Sequence, residues 1–301
     1  MRAVQYDRFG DSSVLTIAER DEPHAGPGSV RIRVAAASIN PIDRLLRAGA
    51  LQEILPLELP AVPGRDAAGV VDEVGAGVTD VAIGDRVFGL GGLSDTTAEY
   101  AVLTAWAPTP AAWSDEQAAA AGLASVTAWR ALEALGEPKN ATILIGGAAG
   151  AVGGAAAAFA LADGNQVIGT ASPRNHQRLR ELGVIPIAYG EGLVDRVREI
   201  ASAGVDYAID AAGAGSLPDL VELTGRPDNV VTVVDHQTAA ELGVKSANAD
   251  NDAALLRRAA DLAGSYTPYV NEVLPFADAA EAHARSEAGG GKIVLRIDSG
   301  T

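Results

Sequence analysis

Residues 142–154, TILIGGAAGAVGG, are the stretch that decides the fold. An apolar run that predicts a strand leads into glycines and then into a segment that predicts a helix. Gly147, Gly150 and Gly153 have a spacing typical of dinucleotide-binding turns, where small residues bring backbone amides against a pyrophosphate at a helix N-terminus. Glycines also occur in ordinary loops, but the flanking strand and helix favour the nucleotide. The predicted pyrophosphate-binding residues are Gly147, Ala148, Ala149, Gly150, Ala151, Val152 and Gly153.

Strand-like and helix-like segments alternate after this turn. Near-continuous apolar runs separated by helices indicate a parallel sheet that helices cover on both faces. We therefore predict an α/β fold with a Rossmann, doubly wound parallel sheet. The predicted helices are 152–163, 174–182 and 193–203, and the predicted strands are 166–170, 185–189, 206–210 and 229–234.

The outer segments have a different pattern, with short β-like runs broken by glycine and proline, which predicts a β-rich unit. The C-terminal segment, residues 265–301, has the same pattern of short β-like runs, so we expect it to return to that unit. The β-like runs are 30–37, 67–74, 86–89 and 98–103. The predicted domains are 1–112 (catalytic), 113–264 (nucleotide-binding, inserted) and 265–301 (returning catalytic segment).

The start of the predicted nucleotide domain contains a helix signal. Ser114 and Gln117 have the spacing of a capping box, in which each side chain bonds the other residue's backbone amide. We expect a helix that runs toward Gly122, and a second helix over 126–135.

Composition excludes several classes of protein. The formal net charge of −16 repels a phosphate backbone, so nucleic acid is not an expected partner. The chain has no cysteine, which excludes disulfides, thiolate zinc sites and a thiol nucleophile. The longest weakly charged stretch, 141–162, has glycines clustered at a turn, and residues 1–10 lack the apolar run of a signal peptide. We expect a cytoplasmic protein with a small-molecule partner and no membrane contact.

The residues after the second predicted strand indicate which nucleotide is bound. An acid at this point would bind the ribose hydroxyls of NAD, but residues 169–175, GTASPRN, contain no carboxylate. The hydroxyl of Ser172 and the guanidinium of Arg174 suit a 2′-phosphate instead. We therefore predict NADPH as the cofactor. The alternative is that Arg174 is a solvated residue in the first turn of a helix.

Blocks along nearly the whole chain form a collinear set: AASINPIDRLLRAG (36–49), VPGRDAAGVVDEVGAGVTDVAIGDRVFG (62–89), AEYAV (98–102), TAWRAL (127–132), the glycine-rich turn, 167–175, 206–213 and GKIVL (291–295). This set resembles the zinc-free quinone oxidoreductase branch of the medium-chain dehydrogenase/reductase superfamily. The resemblance implies a GroES-like β-rich catalytic domain beside the Rossmann domain, and a homodimer formed through the Rossmann sheets.

The chain departs from the zinc-bearing members of that superfamily. Those members carry a cysteine near the block at 39–43 and a His-Glu pair where this chain has Gly64-Arg65-Asp66. We therefore expect no metal. The four histidines show no ligand spacing and are expected to be surface or loop residues: His24, His176, His236 and His283.

The resemblance also implies roles for single residues. Asn40 would lie beside the nicotinamide or the substrate, Thr127 near the nicotinamide, and Tyr189 near the 2′-phosphate. Asn40 and Asp43 are the candidate catalytic residues, with Asp43 orienting the substrate or relaying a proton. The alternatives are that Asn40 caps a turn and that the Asp43 carboxylate only stabilises a helix dipole. The other side of the cofactor would be lined by Gly213, Val234, Asp235 and His236.

The expected activity is hydride transfer from NADPH to a quinone or another α,β-unsaturated carbonyl compound. Without a Lewis acid, such electron-poor acceptors suit the reaction because conjugation spreads the incoming charge. One alternative is an enoyl reductase that acts on an enoyl thioester. An alternative from another class is a cofactor-binding structural or RNA-binding protein without turnover.

Overall fold

A computed structural model describes residues 1–297 of the chain. Two compact units form: one contains Met1–Leu123 and the segment that starts at Asn251, and the other is Ala124–Asp250. The predicted domain boundaries after residues 112 and 264 stay predictions, and residues 298–301 of the predicted returning segment lie outside the described residues.

Strands and helices alternate in the middle of the chain, and most of the elements before that region are strands. The strands are β1 (Arg2–Gln5), β2 (Thr16–Glu19), β3 (Val30–Ser38), β4 (Asp66–Val74), β5 (Arg86–Leu90), β6 (Tyr100–Leu103), β7 (Ala105–Pro108), β8 (Thr142–Gly146), β9 (Gln166–Thr170), β10 (Ile185–Ile187), β11 (Tyr207–Asp210), β12 (Val230–Thr232), β13 (Lys245–Ser246), β14 (Glu272–Pro275) and β15 (Ile293–Arg296). The α-helices are α1 (Pro41–Arg47), α2 (Asp115–Ala134), α3 (Ala151–Ala162), α4 (His176–Glu181), α5 (Leu193–Ile200), α6 (Leu217–Thr224), α7 (His236–Leu242), α8 (Ala253–Asp261) and α9 (Ala279–Glu287).

The first unit is built on a sheet with the order β14-β15-β3-β4-β5-β7, to which β6 adds by pairing with β3. Along β3, Val30, Ile32 and Val34 are buried while the arginines between them are not, so one face of the strand forms the core. The tail strand β15 pairs antiparallel with β3, with Val294 opposite Ser38. Residues from both ends of the chain therefore meet in one sheet.

The second unit is a six-stranded sheet with the order β10-β9-β8-β11-β12-β13, in which every pair is parallel. This is the doubly wound order in which the first strand, here β8, lies in the middle. Ile143, Leu144 and Ile145 are all fully buried, because helices cover both faces of a parallel sheet. The predicted α/β class and Rossmann sheet are confirmed.

Helix α2 corrects one sequence prediction. The predicted capping box is confirmed: the Ser114 amide donates to Gln117 Oε1 at 2.9 Å, and the Gln117 amide donates to Ser114 Oγ at 3.2 Å. The predicted break near Gly122 is wrong, because α2 is one continuous helix. A Cβ at Gly122 would lie 2.7 Å from Asp66 Cβ. This glycine allows a close approach to Asp66 and does not end the helix.

His283 lies in α9 and is only 1% exposed. The prediction that every histidine is a surface or loop residue is therefore wrong for His283.

None of the helices in the described part of the chain is both long enough and apolar enough to cross a bilayer.

Candidate functional site

The glycine-rich turn of residues 147–153, hereafter the glycine turn, joins β8 to α3. Gly147 has φ +75°, a left-handed conformation that favours glycine. At Gly153, a Cβ would lie 2.3 Å from the carbonyl oxygen of Gly147, so the first turn of the helix packs directly on the backbone. Only small residues permit this packing, as the spacing predicts.

Helix α3 begins at the glycine turn with donors that the helix itself does not use. The first amides of an α-helix have no intrahelical acceptor, and here they belong to Ala151 and Val152. The N-cap residue is Gly150, which has no side chain that could accept from these amides. Arg178 Nη2 donates to the carbonyl oxygen of Ala149 at 2.8 Å, which brings a guanidinium to the turn. The turn thus combines helix N-terminal amides with a nearby cation.

Asp210, at the end of β11, organises the adjacent strand ends. Its carboxylate is buried and accepts from the Gly213 amide at 3.0 Å and from Thr232 Oγ1 at 2.9 Å. Thr232 Oγ1 in turn accepts from the Val234 and Asp235 amides at 3.2 and 3.0 Å. This network brings the predicted residues Gly213, Val234 and Asp235 together at one edge of the sheet.

Other predicted cofactor residues follow neighbouring strands. Ser172 Oγ lies just after β9 and accepts from Asn175 Nδ2 at 3.1 Å, while Arg174 is exposed. Tyr189 follows β10 and is 61% exposed. His236 is the first residue of α7. The carboxyl ends of parallel strands share one edge, which is where ligands of doubly wound sheets bind.

Thr127 and Asn40 are placed by other elements. Thr127 lies in α2, within the part of that helix that belongs to the second unit. Asn40 is the N-cap residue of α1 in the first unit.

In the first unit, the side chains of Ser38, Asn40, Asp43, Asp66 and Lys292 form what we call the buried polar cluster. Asp66 is its centre. Oδ1 of Asp66 accepts from Ser38 Oγ at 2.5 Å and from Asn40 Nδ2 at 2.9 Å, and Oδ2 accepts from the Leu123 amide at 2.9 Å. Three donors therefore converge on this one carboxyl group.

Lys292 completes the environment of Asn40. Its Nζ donates to Asn40 Oδ1 at 2.7 Å and lies 3.8 Å from Asp66 Oδ2. Burial lowers the pKa of Lys292, while Asp66 and Asp43 act in the opposite direction. Asn40 therefore has one amide hydrogen left for another partner.

Asp43 lies at the start of α1, and its Oδ2 accepts from the Asn40 amide at 2.8 Å. Oδ1 is buried and has no hydrogen-bond partner among the described residues. Burial raises the pKa of Asp43 to about 7, the Asn40 hydrogen bond lowers it, Asp66 raises it, and Lys292 and Arg65 lower it. This carboxyl group can hold a proton near neutral pH.

The chain is 36% identical over 239 residues to the rat synaptic vesicle membrane protein VAT-1 homolog, covering 77% of this chain and 59% of that protein. It is 31% identical over 242 residues to the quinone oxidoreductase of Rattus norvegicus, covering 77% of this chain and 73% of that enzyme. The chain belongs to the quinone oxidoreductase branch of the medium-chain dehydrogenase/reductase superfamily. It spans about three fifths of the length of the VAT-1 homologues it matches.

Domain and structural comparisons agree with this membership. Residues 26–110 match the alcohol dehydrogenase GroES-like domain. The quinone oxidoreductase from Coxiella burnetii superimposes with a TM-score of 0.82 at 28% identity, over 99% of both chains. An NAD-dependent alcohol dehydrogenase gives 0.87 at 29% identity, over 99% of this chain and 100% of that one. Mycobacterial Rv1454c, solved with NADPH, gives 0.81 at 27% identity, over 98% of this chain and 99% of that one.

The branch implies a nicotinamide cofactor, and the second unit has features that fit one. Because Gly153 has no Cβ, α3 packs directly on the backbone of the glycine turn, with the amides of Ala151 and Val152 at the helix N-terminus. Within residues 1–297, no cluster of three or more His, Cys, Asp or Glu side chains is arranged to hold a metal ion.

Sequence reasoning missed several residues of these sites. Asp66 and Lys292 lie in two of the blocks that carry the family resemblance, but the sequence predicts no role for either, and it does not predict the contacts of Asp210 and Arg178. A signal for Asp66 and Lys292 exists: each is a charged residue next to an apolar strand, DAAGVV or KIVL, where a charge is costly unless it is paired.

Proposed function

We propose that this protein is a zinc-independent, NADPH-dependent reductase of quinones or other α,β-unsaturated carbonyl compounds. Membership of the quinone oxidoreductase branch supports an oxidoreductase. The bound nicotinamide would supply a hydride, which together with a proton reduces the acceptor. What this chain adds is binding, orientation and control of that proton.

The observation that carries the choice of NADPH is the chemistry after β9. This strand ends at Thr170, and the next polar side chains are Ser172 and Arg174, with no carboxylate among them. Arg174 is exposed and free to meet a phosphate, and Ser172 Oγ retains lone pairs and a hydrogen for it. A complex of the related Rv1454c with NADPH supports this choice.

Arg174→Ala tests this choice. We expect kcat/KM for NADPH to fall about tenfold or more, since a charge-assisted hydrogen bond contributes about 1.5–3 kcal/mol, while kcat/KM for NADH stays unchanged. Arg180→Ala, which removes an exposed arginine from the same stretch, is the matched control and should change neither value. Wild-type protein that prefers NADH, or an unchanged preference in Arg174→Ala, would refute the NADPH assignment.

In the first unit, Asn40 and Asp43 are the groups we assign to the reacting end. Asn40 would offer its remaining amide hydrogen to the nicotinamide or the acceptor. Asp43 would hold a proton at Oδ1 and release it as the acceptor gains negative charge. Thr127 would contact the nicotinamide, and Tyr189 the 2′-phosphate.

The acceptor class is tested by following NADPH oxidation with a quinone, an enone and an enoyl thioester, before and after treatment with a zinc chelator. We expect turnover with the first two and no effect of the chelator. Cofactor binding without oxidation of NADPH by any acceptor would refute the reductase. We also propose a homodimer, which sedimentation of the purified protein tests, and a location in the cytoplasm.

A further inference from the structure

The backbone around Lys292 is held in a fixed position. The Lys292 amide donates to Asn271 Oδ1 at 2.7 Å, and the Asn271 amide donates to the Lys292 carbonyl oxygen at 2.8 Å. The preceding Gly291 has φ +77°, and a Cβ there would lie 2.2 Å from Asn271 Oδ1. The glycine is therefore required for this pair of bonds, and the lysine that follows it cannot shift along the sheet.

The sheet register directs the lysine side chain to one partner. Val294 lies opposite Ser38 on β3, and the Ile39 amide donates to the Ile293 carbonyl oxygen at 3.0 Å. Continuing the antiparallel register brings Lys292 opposite Asn40, where Nζ meets Oδ1 at 2.7 Å. The ammonium group and the amide are thus neighbours across the sheet although they are 252 residues apart in sequence.

The contacts of Asn40 are compatible with one orientation of its amide. Nδ2 donates to Asp66 Oδ1, and Oδ1 accepts from Lys292. A rotation of the amide by half a turn would set two donors against each other at Lys292 and two acceptors against each other at Asp66. A protonated lysine can only donate, and Asp66 Oδ1 accepts here, so both contacts oppose the rotated form.

Lys292 is costly for the protein to keep in this place. It is 6% exposed, and burial of a charged ammonium is unfavourable unless other groups compensate it. Its hydrogen bond in the cluster goes to the Asn40 amide, and its nearest carboxylate oxygen, on Asp66, is at 3.8 Å. The shorter of these two contacts is therefore the one that orients Asn40.

We propose that Lys292 is a positioning residue: its ammonium group fixes the carboxamide of Asn40, and with it the hydrogen-bonding groups that Asn40 offers to the nicotinamide or the acceptor. This inference rests on the proposed reductase function for its effect on turnover. The orientation of the amide itself does not depend on turnover.

A double-mutant cycle tests whether Lys292 acts through Asn40. We expect Lys292→Met to lower kcat about tenfold in the wild-type background and less than about twofold when Asn40→Ala is already present. Lys245→Met is the matched control, because Lys245 Nζ donates at 2.9 Å to the carbonyl oxygen of Ala134 in the second unit, and it should leave kcat unchanged. An equal loss in both backgrounds would overturn the proposal.

Nuclear magnetic resonance of protein labelled with 15N-asparagine gives a readout that needs no acceptor. The Asn40 side-chain signals are identified by their loss in Asn40→Ala. We expect them to shift and exchange faster with solvent in Lys292→Met, and to stay near the wild-type position in Lys292→Arg, which keeps a charged donor. The arginine variant also decides the matter if the methionine variant does not fold. Two results would overturn the proposal. One is that the Asn40 signals are unchanged in Lys292→Met, and the other is that they are displaced as far in Lys292→Arg as in Lys292→Met.

The two experiments separate this inference from the proposed function. If wild-type protein reduces no acceptor, the reductase is refuted, whereas the amide signals still report whether Lys292 holds Asn40. If wild-type protein turns over and the cycle is additive, the reductase stands and the role of Lys292 is refuted.

Discussion

The glycine turn and the buried polar cluster are built in opposite ways. The glycine turn uses consecutive residues, and its shape comes from the backbone and from the absence of side chains at Gly147 and Gly153. The buried polar cluster uses side chains from three separate segments, and its contact between Asn40 and Lys292 joins residues 252 positions apart.

This difference has consequences for how each region responds to substitution. The turn depends on excluded volume, so the addition of one methyl group at the right glycine should suffice to disrupt it. The cluster depends on charge and hydrogen bonding, so its members should respond to substitutions of equal size that change only a donor, an acceptor or a proton.

Gly153→Ala should have the largest effect, on cofactor binding. The new Cβ would lie 2.3 Å from the Gly147 carbonyl oxygen, so the helix must move away from the turn and its N-terminal amides lose their position. We expect the Kd for NADPH, measured by fluorescence titration, to rise by about a hundredfold, corresponding to overpacking of about 3 kcal/mol.

Gly154→Ala is the matched control for that measurement. The next glycine in the same helix would place its Cβ 3.5 Å from the nearest atom, an ordinary contact. Since alanine is the better helix former, we expect unchanged affinity and a stability gain of about 0.5–1 kcal/mol. Similar losses of affinity in both variants would mean that the turn does not depend on the close contact at Gly153.

The glycine turn could be predicted from the sequence because all its determinants are local. A strand, three glycines and a helix are adjacent in the chain, and their spacing alone implies the geometry. The same local reasoning was wrong at Gly122, because the reason for that glycine is Asp66, which lies far away in sequence and close in space. The spacing of glycines does not distinguish the end of a helix from a close packing contact.

The buried polar cluster could be predicted only in part for the same reason. The block that contains Asn40 and Asp43 pointed to both residues, but the raised pKa of Asp43 arises from burial and from Asp66, neither of which a linear pattern contains. Lys292 reaches Asn40 through the register of β15 on β3, which depends on the return of the tail to the first sheet.

Asp43→Asn should have the next largest effect, on the pH dependence of turnover. If the protonated carboxyl group supplies the proton, wild-type kcat falls as the pH rises through about 7, where the Asp43 carboxyl group ionises. Asparagine has nearly the same size but no proton to give. We expect kcat to fall about ten- to a hundredfold at pH 6, and the decrease above pH 7 to disappear.

Asp85→Asn separates this role from capping. Asp85 Oδ2 accepts from the backbone amide three residues earlier at 2.8 Å, as Asp43 does, but Asp85 is exposed. Its substitution should leave the pH profile of kcat as in wild type. A wild-type profile that is flat between pH 6 and 8, or one that Asp43→Asn leaves unaltered, would exclude Asp43 as the proton donor.

His283→Gln should have the smallest effect, on stability alone. This buried imidazole lies outside the cluster but also joins the tail to the first segment: Arg47 Nη1 lies 3.1 Å from His283 Nδ1. Because the guanidinium can only donate, Nδ1 must accept, and the ring must be neutral. Burial first and the charge of Arg47 second lower the pKa of His283 to about 3, from an ordinary value of 6.5.

The direction of the pH effect follows from these two values. Below about pH 6.5 the unfolded chain binds a proton at His283 that the folded protein does not bind, so this residue destabilises the fold increasingly as the pH falls. Between pH 7 and 5.5 the loss amounts to about 1 kcal/mol in the free energy of unfolding. Asp43 acts in the opposite direction over this range, because its folded-state pKa is raised.

The contribution of His283 is therefore measured as a difference between two proteins. Urea unfolding of wild type and His283→Gln at pH 7 and 5.5 cancels the effect of Asp43, which both contain. Glutamine keeps an acceptor for Arg47 but cannot take up a proton, so we expect the variant to lose about 1 kcal/mol less than wild type on acidification. Equal losses in the two proteins would mean that the His283 imidazole is not held neutral in the folded protein. The contact between Arg47 and His283 would then not control the protonation of this ring.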